Sequence, residues 1–176
     1  MDSWKGDSRM PANLATLALR PERPDDEAFL REVYAGTRQE ELEASGMPVE
    51  MRAAFLDLQF KAQQQGYRNA FPNAEFLVIL LGDKAIGRLV INRAEDAFLL
   101  VDIALLPAHR GRGIGTALVN NLLREAAAAK KPVRLSVIKG QRAFRLYRRL
   151  GFERTGEAGF RDQMEWRANR PVKTDY

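Results

Sequence analysis

The sequence predicts an α/β fold in which helices flank a mixed, largely antiparallel sheet. Three observations support this prediction. Helical apolar spacing dominates the first part of the chain, strand-like runs follow one another in the middle, and helix and strand patterns alternate towards the end. The predicted order is β-α-α-β-β-β-α-β-α-β-β within a single domain over residues 14–168. Residues 1–13 and 169–176 are expected to be flexible ends.

One strand and two helices are predicted for the first part of the chain. Residues 14–19 form the strand, and Pro24, followed by acidic residues, begins the first helix. The second helix is predicted over residues 49–65, ending near Gly66. Its buried face is predicted to carry four apolar residues at helical spacing: Met51, Phe55, Leu58 and Ala62.

Three strands are predicted in the middle of the chain, over residues 75–81, 85–91 and 98–106, with a hairpin turn at residues 82–84. A long helix over residues 113–129 follows, and its apolar face consists of Leu118, Leu122 and Ala126. The remaining elements are a strand over residues 133–138, a helix over residues 142–150 that stops at Gly151, and a final hairpin from residues 152–154 and 160–167.

The composition excludes several kinds of chemistry. The chain has no cysteine and one histidine, His109, which excludes disulfide scaffolds, thiolate metal sites, cysteine nucleophiles and sites with two imidazoles. We therefore expect no metal, and His109 is expected to be an exposed loop residue. The polar start of the chain and its short apolar runs predict a cytoplasmic protein without membrane contact. The net charge of +5 fits either a phosphate-bearing ligand or ordinary solubility.

A glycine-rich loop with two arginines joins the third middle strand to the long helix. Glycines allow backbone N–H groups to close around an anion, and the helix N-terminus adds a partial positive charge. The spacing matches neither a Walker A loop, which needs a lysine after Gly115, nor the GxGxxG dinucleotide motif. The loop therefore predicts a phosphate or pyrophosphate site formed by Arg110, Gly111, Arg112, Gly113, Ile114, Gly115 and Thr116.

The spacing Arg110-x-x-Gly113-x-Gly115 resembles the acyl-CoA loop of the GNAT-type N-acetyltransferases. Ile103-Ala104-Leu105-x-Pro107 precedes the loop, as in that family. A second family-like block, Ala143-x-x-Leu146-Tyr147-x-x-x-Gly151-Phe152, follows downstream, and the resemblance covers residues 75–166. The chain departs from the pattern at Gly140, where family members commonly carry asparagine.

The resemblance implies direct transfer of an acetyl group from acetyl-CoA to a primary amine in a ternary complex, without an acyl-enzyme. It implies that the strand ending at Leu106 splays from the strand over residues 133–138, so that the pantetheine arm fits between them. The backbone of Ile103, Ala104 and Leu105 would bind this arm and hold the oxyanion. The arginine-bearing loop would hold the pyrophosphate, and Gly140 and Ala143 would also contact CoA.

Two side chains are candidates for proton transfer. Tyr147 matches the family tyrosine that gives a proton to the departing thiolate, although it could also serve only to pack the core. Asp102 lies in an otherwise apolar strand and is the best candidate for the base that takes the proton of the amine. The alternative for Asp102 is a structural carboxylate. Glu75 and Ser136 are weaker candidates for the base.

The acceptor is expected to be an amine of a small molecule or a peptide. Four acidic residues, Glu40, Glu41, Glu43 and Glu50, could attract a cationic amine or simply face water. A non-catalytic acyl-CoA-binding module is the alternative function. Nucleic-acid binding ranks last because aromatic RNA-binding motifs are absent and the basic residues are spread along the chain. Homodimers are common among the relatives that the resemblance implies.

Overall fold

The computed structural model describes residues 16–168, and the helices and strands follow one another along them in the predicted order. Single turns of 3₁₀ helix at Pro24–Asp26 and Pro107–His109 precede two of the α-helices. The elements are β1 (Leu17–Pro21), α1 (Glu27–Ala44), α2 (Val49–Ala70), β2 (Glu75–Leu81), β3 (Lys84–Arg93), β4 (Phe98–Leu105), α3 (Ile114–Ala128), β5 (Val133–Ile138), α4 (Arg142–Arg149), β6 (Glu153–Ala158) and β7 (Arg161–Trp166).

The strands are hydrogen-bonded in the order β1-β2-β3-β4-β5-β7-β6. β1 is antiparallel to β2, and β7 is antiparallel to both β5 and β6. β4 and β5 are parallel, and α3 is the helical crossover that a parallel pair requires. The predicted fold class, a mixed and mostly antiparallel sheet flanked by helices, is confirmed.

The described residues form two compact units, and both β3 and β4 contribute residues to each. Unit 1 consists of residues 16–90 and 102–112, and unit 2 consists of residues 91–101 and 113–168. The single domain over residues 14–168 stays a prediction. The predicted flexible ends lie outside the described residues. No helix among residues 16–168 is long and apolar enough to cross a membrane.

In unit 1, α1 and α2 pack through a cluster of buried side chains. Leu30 and Tyr34 of α1 contact Phe60 of α2, and the Tyr34 hydroxyl donates a hydrogen bond to Gln59 at 3.2 Å. The rings of Tyr34 and Phe60 are tilted, with their centroids 5.9 Å apart. This cluster sets which face of α2 points inward.

The predicted buried face of α2 is wrong. Met51, Phe55 and Leu58 are 60%, 37% and 69% exposed, and Ala62 is exposed as well, whereas Phe60 is only 2% exposed. The helix carries apolar residues on two faces, and only the face with Phe60 meets α1. The helix is also longer than predicted and ends at Ala70, because an isolated glycine such as Gly66 does not stop a helix.

The strands of unit 1 are held by a buried apolar core. Val78, Ile79, Ile86 and Val90 of β2 and β3 have no exposed surface. β1 pairs with β2 from Leu17 to Pro21 and extends two residues past the predicted end, whereas residues 14 and 15 of the predicted strand lie outside the described residues.

Unit 2 contains α3, α4 and the strands β5 and β7, in which buried side chains recur at every second position. Leu118, Leu122 and Ala126 of α3 are buried, as predicted. α4 ends next to Gly151, which has a φ of 88° and whose N–H donates a hydrogen bond to the carbonyl of Arg148, so the predicted helix stop is confirmed.

The last hairpin of unit 2 consists of β6 and β7, as predicted. β6 is the terminal strand of the order, and its residues 154–158 are exposed. Its register against β7 shifts between Arg154 and Gly156. The edge of β6 is therefore irregular and open to solvent.

Candidate active site

The arginine-bearing loop has the backbone that an anion site needs. Gly111 and Gly113 have φ values of 71° and 81°, in the left-handed region that favours glycine. The first backbone bond of α3 runs from the Ala117 N–H to the Gly113 carbonyl at 2.9 Å. The N–H groups of Ile114, Gly115 and Thr116 precede that bond and have no carbonyl partner within the helix. Arg110, Gly111, Arg112 and Gly113 are exposed, so this helix end is accessible to a ligand.

The two loop arginines have different surroundings. The Arg110 side chain turns back to β4, and its Nε donates a hydrogen bond to the Leu105 carbonyl at 2.9 Å. Arg112 is exposed and makes no ion pair with a described residue. Arg110 therefore fixes the shape of the connection, whereas Arg112 is free to meet a phosphate.

The carboxyl-terminal part of β4 carries the predicted backbone-binding residues. Ala104 is buried, and Ile103 and Leu105 are half-buried. The pairing of β4 with β5 joins residues Phe98, Leu99 and Leu100 to Val133, Arg134 and Leu135. Residues Ile103, Ala104 and Leu105 follow this paired stretch in β4, and the predicted splay of the two strands stays a prediction.

Asp102 is held by a buried arginine. Arg88 of β3 is 3% exposed, and its Nε donates a hydrogen bond to Asp102 Oδ2 at 2.9 Å. The Arg88 Nη2 also donates to this oxygen and, at 2.6 Å, to Gln63 Oε1 of α2. Asp102 is thus hydrogen-bonded, as the structural alternative requires, and its role as a base stays a prediction.

A polar cluster that the sequence motifs did not predict surrounds Arg88. Glu22 belongs to it, and burial raises the pKa of Glu22 while the nearby charges of Arg68 and Arg88 lower it to a smaller extent. Glu22 Oε1 accepts a hydrogen bond from Arg68 at 2.8 Å, whereas its Oε2 is buried without a partner among the described residues. The sequence holds one signal of this cluster, because Arg88 and Asp102 each lie within a largely apolar strand.

Tyr147 lies in the core of unit 2. It is buried, and its ring meets Phe152 edge-on with the centroids 5.6 Å apart. The Phe152 N–H donates a hydrogen bond to the Tyr147 carbonyl at 3.0 Å. The packing role of Tyr147 is therefore present, and its role as an acid stays a prediction.

The structure brings the start of α3 close to α4. A Cβ on Gly115 would find its nearest neighbour in Leu146 Cδ2 at 4.0 Å. Gly140 has a φ of 80° just before α4, a backbone conformation that glycine adopts without strain, and Ala143 is half-buried in the first turn. The predicted CoA contacts of Gly113, Ile114, Gly115, Thr116, Gly140 and Ala143 thus belong to unit 2, and those of Ile103, Ala104, Leu105, Arg110, Gly111 and Arg112 belong to unit 1.

The other candidates have plainer surroundings. Ser136 Oγ accepts hydrogen bonds from Arg161 Nε and Gln163 Nε2, and Glu75 is exposed at the start of β2. His109 is half-buried with its Nδ1 shielded from solvent, so the predicted exposure is wrong. Among residues 16–168, no three carboxylate or imidazole side chains are grouped to hold a metal ion. The four acidic residues near the α1–α2 connection, Glu40, Glu41, Glu43 and Glu50, are all exposed.

Residues 72–154, just under half of the chain, match the family model of the acetyltransferase (GNAT) domain. An acetyltransferase from Thermus thermophilus is similar in structure, with a TM-score of 0.66 and 18% identity, covering 88% of this chain and 99% of the other. PaiA N-acetyltransferase from Thermoplasma acidophilum in complex with coenzyme A gives a TM-score of 0.64 and 16% identity, covering 86% and 98%.

A GNAT family acetyltransferase from Elizabethkingia anophelis with acetyl-CoA bound gives a TM-score of 0.57 and 13% identity, covering 86% of this chain and 98% of the other. No curated protein matches the sequence. At these identities the solved structures establish the fold, and the family model links the central part of the chain to acyl transfer. The predicted resemblance to the GNAT superfamily is confirmed, and residues 72–154 carry the match to its acetyltransferase domain.

Proposed function

We propose that the protein transfers an acetyl group from acetyl-CoA directly to a primary amine in a ternary complex. The observation that carries this proposal is the exposed connection before α3. Its two left-handed glycines and the N–H groups of Ile114, Gly115 and Thr116, which have no carbonyl partner within α3, suit an anion at a helix N-terminus. The match of this region to the GNAT family model supports a CoA pyrophosphate as the anion.

The CoA molecule is proposed to follow the chain from this loop along β4. Arg112 pairs with the pyrophosphate, and the backbone of Ile103, Ala104 and Leu105 hydrogen-bonds the amides of the pantetheine arm. The end of the β4–β5 pairing at Leu100 supports this placement, because the later residues of β4 lie outside that pairing. Two similar structures hold coenzyme A or acetyl-CoA, which supports the same ligand here.

The reaction is proposed to be a direct aminolysis of the thioester. The amine nitrogen attacks the carbonyl carbon, a backbone N–H near Leu105 stabilises the oxyanion, and Asp102 takes the amine proton. The C–S bond then breaks, and Tyr147 protonates the CoA thiolate before regaining a proton from solvent. This route uses no acyl-enzyme, which agrees with the absence of cysteine from the sequence.

The acceptor is proposed to be the primary amine of a small molecule or a peptide. Alkylamines are cationic at neutral pH, and exposed carboxylates such as Glu40 and Glu43 favour the approach of a cation. The free amine attacks, so a base such as Asp102 is required at the reacting nitrogen.

The proposal is tested with a panel of polyamines, amino acids, aminoglycosides and peptide N-termini while thiol release from acetyl-CoA is followed. We expect amine-dependent release with at least one of these classes. We also expect Arg112→Gln to raise the Kd for CoA about tenfold, the effect of losing one charged phosphate contact of about 1.4 kcal/mol. Lys61→Gln removes the same charge from an exposed site on α2 and is the matched control.

Two results would contradict the proposal. CoA binding without amine-dependent thiol release would identify a non-catalytic acyl-CoA-binding module. Absence of CoA binding in the wild-type protein would remove both functions and the role assigned to the loop.

A further inference from the structure

Arg88 and Asp102 form an ion pair that engages only one of the two carboxylate oxygens. Both donors of Arg88, Nε and Nη2, bond to Asp102 Oδ2. No described residue donates a hydrogen bond to Oδ1, and the Asp102 side chain is 20% exposed. One oxygen is therefore anchored, and the other is available to a ligand.

A second ion pair in unit 1 shows the ordinary arrangement. Arg20 donates from Nη1 to Asp26 Oδ2 and from Nη2 to Asp26 Oδ1, both at 2.6 Å. The Arg23 N–H adds a hydrogen bond to Oδ2 at 2.8 Å. Both oxygens of Asp26 are thus occupied, which is the fork geometry expected of an arginine and a carboxylate. Arg88 instead directs both of its donors to a single oxygen of Asp102.

Arg88 is itself held rigidly. Its Nη2 bonds to Gln63, and the centre of its guanidinium group lies 5.8 Å from the centroid of the Tyr67 ring. Gln63 and Tyr67 are both residues of α2, so this helix helps to fix the arginine. A planar guanidinium held in this way determines the orientation of the carboxylate that it binds.

We propose that Arg88 is a positioning residue that anchors Asp102 Oδ2 and presents Asp102 Oδ1 to the acceptor amine. This inference rests on the proposed function. The proton of the attacking amine passes to Oδ1 as the new C–N bond forms, and the electron pair of the C–S bond leaves with the CoA sulfur. The guanidinium keeps all its protons throughout and contributes only the orientation of the base.

The proposal is tested by a double-mutant cycle with Arg88→Met, Asp102→Asn and the double variant. We expect each single variant to lower kcat about 100-fold, the usual contribution of a general base. We expect the double variant to be no worse than Asp102→Asn, because Arg88 acts through Asp102. The Kd for acetyl-CoA should stay within about twofold of the wild-type value, since a positioned base adds no binding to the thioester.

Arg88→Lys and Arg20→Gln complete the series. A lysine keeps the charge without the planar fork, so Arg88→Lys should restore part of the kcat that Arg88→Met loses. Arg20→Gln breaks the saturated pair with Asp26 and should lower stability while leaving kcat and its pH profile unchanged. Arg88→Lys also tests the positioning role of Arg88 if Arg88→Met does not fold.

The outcomes separate the inference from the function on which it rests. Wild-type turnover and an unchanged pH profile in Arg88→Met or Arg88→Lys would overturn the positioning role, as would losses that multiply in the double variant. Full activity of Asp102→Asn would overturn the positioning role as well, because Asp102 would then not be the base. A wild-type protein that releases no thiol with any amine would instead contradict the proposed function.

Discussion

Gly87 of β3 passes so close to Ala104 of β4 that no side chain fits between them. A Cβ placed on Gly87 would overlap the carbonyl oxygen of Ala104 and would press on the Leu105 side chain. A backbone oxygen has no alternative rotamer, so this contact is relieved only by moving a strand. The close approach holds in place the stretch of β4 whose backbone is proposed to bind the pantetheine arm.

Gly87→Ala is therefore expected to lower the free energy of unfolding by about 1–3 kcal/mol or more, as overpacking in a core does. Gly66→Ala is the matched control, because Gly66 lies within α2 and a Cβ there meets nothing within 4 Å. That substitution should raise stability by about 0.5–1 kcal/mol through helix propensity. Urea unfolding measures both changes, and equal stability of Gly87→Ala and the wild type would contradict the close approach.

Truncating one residue on each of the two apolar faces of α2 tests which face is buried. Phe60→Ala removes a buried ring and should cost about 3–5 kcal/mol. Leu58→Ala removes an exposed side chain and should change stability by no more than about 0.5 kcal/mol. Denaturant unfolding of both variants distinguishes the faces, and the reverse order of costs would favour the face that periodicity alone predicts.

The Arg20–Asp26 pair makes stability depend on pH in acid. The hydrogen bonds from Arg20 hold the pKa of Asp26 below its ordinary value of 3.8, although burial opposes them. A lowered pKa means that the unfolded chain binds more protons near pH 4, so the stabilisation is complete above this value and is lost as pH falls through the lowered pKa. Asp26→Asn should be less stable than the wild type at pH 7, and the difference should shrink in urea melts below about pH 4. A constant difference across these pH values would contradict the ion pair.

Glu22 should make stability depend on pH in the opposite direction. Burial raises its pKa above the ordinary value of 4.5, with Arg68 and Arg88 opposing the effect. The folded state then binds more protons than the unfolded state above pH 4.5, so stability falls as pH rises through the raised pKa. Glu22→Gln should remove this part of the slope, which a series of unfolding measurements from pH 4 to pH 8 would show. An unchanged slope would mean that burial does not control this carboxyl.

The hydroxyl of Tyr147 is tested separately from its ring. Tyr147→Phe keeps the edge-on contact with Phe152 and should lower the rate of thiol release about 100-fold, the usual effect of losing a general acid. Tyr34→Phe is the control, since it removes another buried hydroxyl that bonds to Gln59. The control should cost about 0.5–1.5 kcal/mol of stability and leave the rate unchanged. Full turnover in Tyr147→Phe would restrict this tyrosine to packing.

Elements with strong local signals were predictable from the sequence. The bounds of β2 and β5 agree with the predicted ranges, because turn residues or proline flank their apolar runs. α3 begins directly after Gly113 and α4 ends two residues before Gly151, and both glycines have a positive φ. The motif residues around the loop were identified by spacing alone, since the chain places them next to one another.

Features that depend on packing partners were not predictable. The apolar spacing of α2 fits two faces, and only contact with Tyr34 of α1 selects the face with Phe60. The partner of Asp102 depends on the register between β3 and β4, which residue types do not specify. Arg88 therefore emerges as a partner of Asp102 only when the two strands are paired.

The open edge of β6 has a consequence for association between copies of the chain. A flat, apolar strand edge is a template onto which another chain adds a strand and starts an aggregate. β6 instead presents Glu153, Arg154 and Glu157, and its register shift after Arg154 interrupts the row of backbone groups. Lys139 and Asp162 pair with these charges and hold them at the edge. We therefore expect a few surface charges outside the proposed catalytic machinery to oppose edge-to-edge aggregation at high concentration.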